Sequence, residues 1–353
     1  MNPFEKVMRR VDAAQQGFGP AALIFGVTKK FGDDNAGMLV SNLAFSAFLC
    51  VFPLLLVLTT VLNLVLAHDP GARHALLHST LTEFPVVGSQ LGHNIHGLQR
   101  SSVIGLIVGI LGLLWGSTGL AQSGLFSMSQ VWNVTGPERP NYFSRLGRSF
   151  AFLAVLGAGL IITTGLASFG TFGRHNILLG VLSEILAVVV NIATYFGVFR
   201  VLTPKMVHSR QLVWGVVLAG VAWTILQAVG GYLIGHDLKN DSVTYGVFAA
   251  VLGLVAWIYL GSLITIYAAE LNTVLAGHLW PRGMVQPPLT EADQRSLALQ
   301  ATQNQRRPEQ EVSVEFTTPA MSQSDWLTSQ ADEESKDDDP EKVVTSRSGE
   351  PGS

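Results

Sequence analysis

The sequence predicts an all-α polytopic membrane protein: a six-transmembrane-helix bundle with a disordered C-terminal tail. Three observations carry this. Of the 353 residues, 48% are hydrophobic and only 13% are charged, against about 25% charged in average soluble proteins. Residues 245–277 hold one carboxylate, Glu270, and no Lys, Arg, Asp or His. A bilayer core about 30 Å thick needs about 20 such residues as a helix, and a soluble core helix is rarely apolar all round for so long. Charge is also split: residues 1–282 carry 16 Lys and Arg against 11 Asp and Glu, a balance of +5, whereas residues 283–353 carry 6 against 14, a balance of −8. A slightly basic membrane body therefore precedes an acidic tail. The single cysteine, Cys50, lies in an apolar run, so no intrachain disulfide supports the fold.

Residues 1–37 read as a cytoplasmic N-terminal amphipathic segment. Phe4, Val7, Met8 and Val11 recur at helical spacing beside Lys6, Arg9 and Arg10, the pattern of a helix lying on a membrane surface. Residues 38–281 read as the transmembrane domain, with spans at about 39–66, 102–124, 150–172, 177–202, 212–235 and 246–275. Pro53 sits near the middle of the first span and removes a backbone donor, so a kink is expected there. The outer loop 68–101 carries two apolar groups at helical spacing, Leu77, Leu81 and Phe84, then Leu91, Ile95 and Leu98, separated by Pro85. Two short amphipathic helices over the bundle are expected. Residues 282–353 are rich in Ser, Thr, Gln, Pro and acid, and read as a disordered acidic cytoplasmic tail with too little apolar surface to fold.

Loop charge gives the orientation, because Lys and Arg near span ends favour the cytoplasm. Lys6, Arg9, Arg10, Lys29 and Lys30 precede the first span. Arg139, Arg145 and Arg148 follow the second, Arg200, Lys205 and Arg210 the fourth, and Arg282 the sixth. The alternate loops are poorer, with Arg73 and Arg100, then Arg174, then Lys239. A multi-pass protein of the cell membrane with both termini cytoplasmic is expected.

Four groups of residues could carry function. Gly105, Gly109, Gly112, Gly116 and Gly119 are spaced 4, 3, 4, 3 and share one stripe of the second span. Such a stripe either lets a neighbouring helix approach closely or forms a side-chain-free wall of a substrate path. Glu184 and Glu270 are acids within apolar runs, and ionisable groups at depth are costly, about 2.5–3.5 kcal/mol on insertion scales, and usually functional. By span length both fall near a membrane boundary, where pairing with a loop base is the plainer expectation: Arg145, Arg148 or Arg200 for Glu270, and Arg174 or Lys239 for Glu184. In the outer loop His74 and His78 are i, i+4 and His93 and His96 are i, i+3. That spacing could serve zinc, but no cysteine joins them, so a solvated loop is expected and no metal or other cofactor is assigned. No GxxxxGK[ST], HExxH or GxSxG pattern is present, and no basic patch is interleaved with aromatics, so ATP drive, hydrolysis and nucleic-acid binding gain no support.

The ordered blocks Leu43-Ala44-Phe45, Phe52-Pro53-Leu54, Leu114-Trp115-Gly116-Ser117, Trp132-Asn133 with Arg145 and Arg148, Arg200-Val201-Leu202-Thr203-Pro204, Tyr245-Gly246-Val247-Phe248-Ala249, Trp257-Ile258-Tyr259 and Ala269-Glu270-Leu271-Asn272 resemble the YihY/virulence factor BrkB family of bacterial inner-membrane proteins. The resemblance covers about residues 36–280, and Ser46 stands where the family commonly has an aromatic. It implies a six-helix membrane protein of poorly defined activity, associated with envelope phenotypes and, for some members, lipid movement, and it adds Asn272 to the candidate residues. The family's former label, ribonuclease BN, finds no placed metals or acid–base pair in this sequence. The leading expectation is a transporter or lipid translocase with membrane lipids as partners. A non-catalytic scaffold comes second, with homo-oligomers or a cytoplasmic partner of the acidic tail, and an enzyme comes last.

Overall fold

Six apolar stretches form long helices in the computed structural model, which describes residues 3–65, 102–138, 141–172, 177–237 and 246–337. The helices are α1 (Pro3–Gly17), α2 (Gly19–Asp33), α3 (Ala36–Val65), α4 (Ser102–Val131), α5 (Tyr142–Phe172), α6 (Ile177–Leu202), α7 (Val213–Asp237), α8 (Gly246–Ala276), α9 (Glu291–Gln303) and α10 (Gln323–Asp337). Among the described residues there is no strand. Helices α3 to α8 each contain a stretch long and apolar enough to cross a membrane. The outer loop, with its two expected helices and His74, His78, His93 and His96, lies outside the described residues.

The chain divides into two compact units, residues 31–273 and residues 1–30 with 274–353. In the first unit successive spans pack antiparallel. Residue pairs across each seam run in opposite directions: Gly109 meets Val57 and Gly116 meets Cys50 on α4 and α3; Gly159 meets Thr194 and Gly197 meets Val155 on α5 and α6; Gly215 meets Ala268 and Gly230 meets Trp257 on α7 and α8. Each of these seams is built on glycine, as expected where lipid supplies no hydrophobic drive and close backbone approach must hold helices together. Buried Leu39, Leu125, Phe152, Phe199, Val216 and Ile266 from α3 to α8 form the core. Trp223 lies edge-on to Tyr195 at 6.4 Å and to Trp257 at 6.4 Å, tying α6, α7 and α8. The outward faces are apolar, with Phe52, Ile107, Leu111, Ile161 and Ile225 all exposed, which suits a lipid solvent rather than water.

Helix ends follow local chemistry. Asn133 has a positive φ of 49° just past α4. Val134 N bonds Ser129 O at 2.9 Å and Asn133 N bonds Gln130 O at 3.0 Å, so the Trp132-Asn133 block is the left-handed cap that terminates this helix. His278 repeats the arrangement after α8, with φ 49° and Leu279 N on Val274 O at 3.0 Å.

In the second unit the first part of the expected tail from residue 282 carries local structure. Residues 282–337 follow a defined path, and residues 338–353 lie outside the described residues. Asp293, fully buried, accepts from Arg282 Nε at 2.8 Å, Lys29 Nζ at 2.9 Å and Gly283 N at 3.0 Å. Thr290 caps α9 in a reciprocal box with the same Asp293. Asp12 on α1 accepts from Met284 N and Val285 N, both at 3.0 Å, and the Arg9 guanidinium lies 3.9 Å from the Trp326 ring centroid. Composition counts apolar surface and cannot foresee this, because the segment is held by buried charged and polar bonds whose partners are more than 250 residues away. The polar face of α1 is thus occupied within its own unit, while Phe4, Val7 and Val11 stay exposed on the other face.

Candidate functional site

The glycine stripe is the contact face of α4 against α3. A β-carbon built at Gly109 would lie 2.9 Å from Val57 Cγ2, at Gly112 3.0 Å from Pro53 Cβ, and at Gly116 3.2 Å from Cys50 Sγ. These distances leave no path between the two helices at that depth. Gly119 has open space and is exposed, and the surroundings of Gly105 lie outside the described residues. Pro53 lies inside α3 without ending it, and its ring is what Gly112 accommodates. Trp115 points away from the seam, with 76% of its surface exposed.

The polar groups within the spans separate into distinct places. Asn191 Nδ2 on α6 donates to Thr224 Oγ1 at 3.1 Å and Gln227 Oε1 at 3.3 Å on α7. Asn272 on α8 is fully buried, and its Oδ1 accepts from Gly215 N at 2.7 Å. Gly215 belongs to the first turn of α7, whose N–H groups lack acceptors inside their helix, so Asn272 caps one span from the next. The same contact explains why no larger residue fits at 215: a β-carbon there would overlap Ala268 O and the Asn272 amide. Glu270 lies on the same turn of α8, 0% exposed, flanked along the helix by fully buried Ile266, Ala268 and Ala269. Glu184 stands exposed on α6 among exposed Val181, Leu182 and Ile185. Its expected partners Arg174 and Lys239 lie outside the described residues.

Two of the three loop arginines expected beside Glu270 bond to other groups. Arg145 Nε on α5 donates to Gln122 Oε1 at 2.7 Å, and Arg148 Nη1 donates to Thr203 O at 3.2 Å. Asn42 is exposed on α3, and the side chain of Asn63 lies outside the described residues. Asn191 with Gln227, Glu270 with Asn272, and outward Glu184 and Asn42 therefore do not converge on one site. Among the described residues no group of three or more His, Cys, Asp or Glu could hold a metal.

A glycine-seamed bundle of six apolar helices, with a carboxylate and an amide buried at one end of its last span, defines an integral membrane protein. Residues 27–287 match the family model described as Virulence factor BrkB, and the chain belongs to that family. It is 22% identical over 271 residues to the inner membrane protein YhjD of Escherichia coli (strain K12), covering 70% of this chain and 79% of that one. It is 25% identical to a UPF0761 membrane protein of Alcanivorax borkumensis, over 70% of this chain and 59% of that one. It is 21% identical to the protein of Bacillus subtilis (strain 168) named as ribonuclease-like, YfkH, over 67% and 88%. No solved structure matches.

Proposed function

We propose that this protein is a transporter or lipid translocase of the bacterial cytoplasmic membrane, acting on an amphiphile of the envelope, and that it catalyses no covalent chemistry. Both termini lie in the cytoplasm in this reading, supported by the Lys and Arg of the loops after α4, α6 and α8. The observation that carries it is Glu270: a carboxylate buried to 0% exposure within a membrane-spanning helix. Such a group is expensive to insert and is kept where it serves a substrate, ion or proton step. A route through a single polar cavity at the centre of the bundle gains no support, since the polar residues do not meet there. The name ribonuclease-like belongs to the relative from Bacillus subtilis, and no acid–base pair or metal cluster among the described residues supports it here.

A second reading, a membrane scaffold, is favoured by one observation. Asn191 Nδ2 bonds Thr224 and Gln227, and Asn272 Oδ1 accepts from Gly215 N, each from one helix to another, which is what fixing a bundle requires. In this reading homo-oligomers or a cytoplasmic partner of the acidic C-terminal segment would be the ligands.

The two separate in proteoliposomes carrying a fluorescent-headgroup lipid, with dithionite bleaching to report transbilayer movement. The purified protein should accelerate exchange, and Glu270→Gln should remove most of that acceleration while its Tm stays close to wild type. Absence of protein-dependent exchange for zwitterionic and anionic lipids alike would leave the scaffold standing. A Glu270→Gln variant that melts lower yet retains full exchange per folded molecule would make the carboxylate structural.

A further inference from the structure

We propose that Arg145, Arg148 and Arg200 form a binding site for a phosphate-bearing anion, the headgroup of an anionic lipid, where the C-terminal half of α4 and the C-terminal end of α6 meet the start of α5. The site is a binding site whether or not the protein moves lipid, so it stands apart from the transport reading.

Three elements build it. Arg145 and Arg148 lie on the first turns of α5, and Arg200 lies on the last turn of α6. Arg145 Nε is aimed by Gln122 Oε1 of α4 at 2.7 Å, and the Ser149 hydroxyl donates back to Arg145 O at 3.0 Å. Arg148 Nη1 is aimed by the carbonyl of Thr203 at 3.2 Å, three residues past Arg200 at the end of α6. Each bond orients a guanidinium through a neutral acceptor and leaves its charge in place. Among the described residues no carboxylate pairs with any of the three, although other arginines do form ion pairs, as Arg9 does with Glu5 and Arg295 with Glu291. Like charges on adjoining helix ends oppose one another, and an anion between them reverses the sign of that interaction. Guanidinium forks match phosphate oxygens two at a time, which is why arginine rather than lysine suits such a site.

Capping of α6 accounts for part of the geometry, because Arg148 reaches a carbonyl just past that helix and a cation there is favourable. It leaves Arg145 and Arg200 unexplained, since one cation is enough for a cap and a second works against the first. The position points to a lipid. All three arginines sit at span ends, and Tyr142, Phe143 (81% exposed), Phe150 and Met206 stand exposed around them. Exposed aromatic rings at such a level mark the headgroup zone of a bilayer.

The test uses full-length protein in neutral detergent, with native mass spectrometry in equal amounts of phosphatidylglycerol, phosphatidylcholine and diacylglycerol. Wild type should retain phosphatidylglycerol in preference to both others. Arg200 makes no bond within the described chain, so Arg200→Gln should fold normally and lower phosphatidylglycerol retention by about tenfold, the worth of one charge-assisted hydrogen bond. Arg148→Gln with Arg200→Gln should abolish the preference, while Arg210→Gln, an exposed arginine outside the cluster, should leave it unchanged. Inorganic phosphate added at the lipid's concentration should not displace the lipid; displacement would overturn the lipid assignment in favour of a free anion. Unchanged retention in Arg200→Gln, with a higher Tm from the relieved repulsion, would overturn the site and reduce the cluster to a helix cap and an orientation signal.

Discussion

Asp293 is a carboxylate with no exposed surface, in the middle of a segment whose composition argues against folding. Burial by itself raises the affinity of such a carboxyl for its proton. The bonds from Gly283 N, Lys29 and Arg282, with the charge of Lys29, outweigh burial and hold it below the ordinary carboxylate range. A depressed folded value means the stabilisation is present above the ordinary carboxylate value of about 3.9 and lost as pH falls through the folded one. The amides of residues 282–303 should therefore keep their hydrogen-exchange protection from neutral pH down to about pH 4, and lose it in stronger acid. Asp293→Asn removes the carboxylate that Arg282, 2% exposed, and Lys29 share, and should cost about 3–5 kcal/mol by denaturant unfolding of that unit. A chain ending at Leu289 should lose as much. Equal stability of wild type, Asp293→Asn and the shortened chain would mean that residues 282–303 are not held by this carboxylate.

The seam between α3 and α4 is decided by which residue faces each glycine. Gly112 meets the Pro53 ring and Gly116 meets Cys50, whereas Gly119 meets nothing. Alanine at 112 must displace the rigid proline ring, and overpacking of that kind typically costs about 1–3 kcal/mol. Alanine at 119 has room and gains helix propensity of up to about 1 kcal/mol over glycine. Thermal melts in detergent should rank Gly112→Ala below wild type and Gly119→Ala at or above it. Matching melts for the two variants would mean that α3 does not lie along this stripe. Of the stripe, Gly109, Gly112 and Gly116 face α3, whereas Gly119 faces open space.

For the whole molecule, loop charge and the antiparallel order of the six spans make one connected expectation. With Cys50 replaced by Ala, cysteines at Ser79 and Asn240 should react with an impermeant thiol reagent added outside intact cells, and cysteines at Ser144 and Ser209 should not. Reaction of the second pair alone would reverse the orientation, and it would move the arginine cluster of α5 and α6 to the outer leaflet. Reaction at all four positions would mean that the apolar helices do not each cross the membrane.

The sequence by itself determined the six long helices, because crossing a bilayer is a demand on consecutive residues: about 20 without charge, whatever they later touch. It also determined the caps after α4 and α8, since Asn133 and His278 act on backbone atoms within five residues. The glycine stripe was legible as a stripe, because helical periodicity is local, but that Pro53 and Cys50 face it is a fact of tertiary packing. The roles of Asn272, Asp12 and Asp293 were illegible for the same reason. Their partners Gly215, Met284 and Lys29 lie 57, 272 and 264 residues away, and composition counts charges such as those of Asp12 and Asp293 as a reason to stay in water. Only the tertiary structure decided that those charges are buried, because a carboxylate leaves water when several fixed donors reach it together, and the chain must fold before they can.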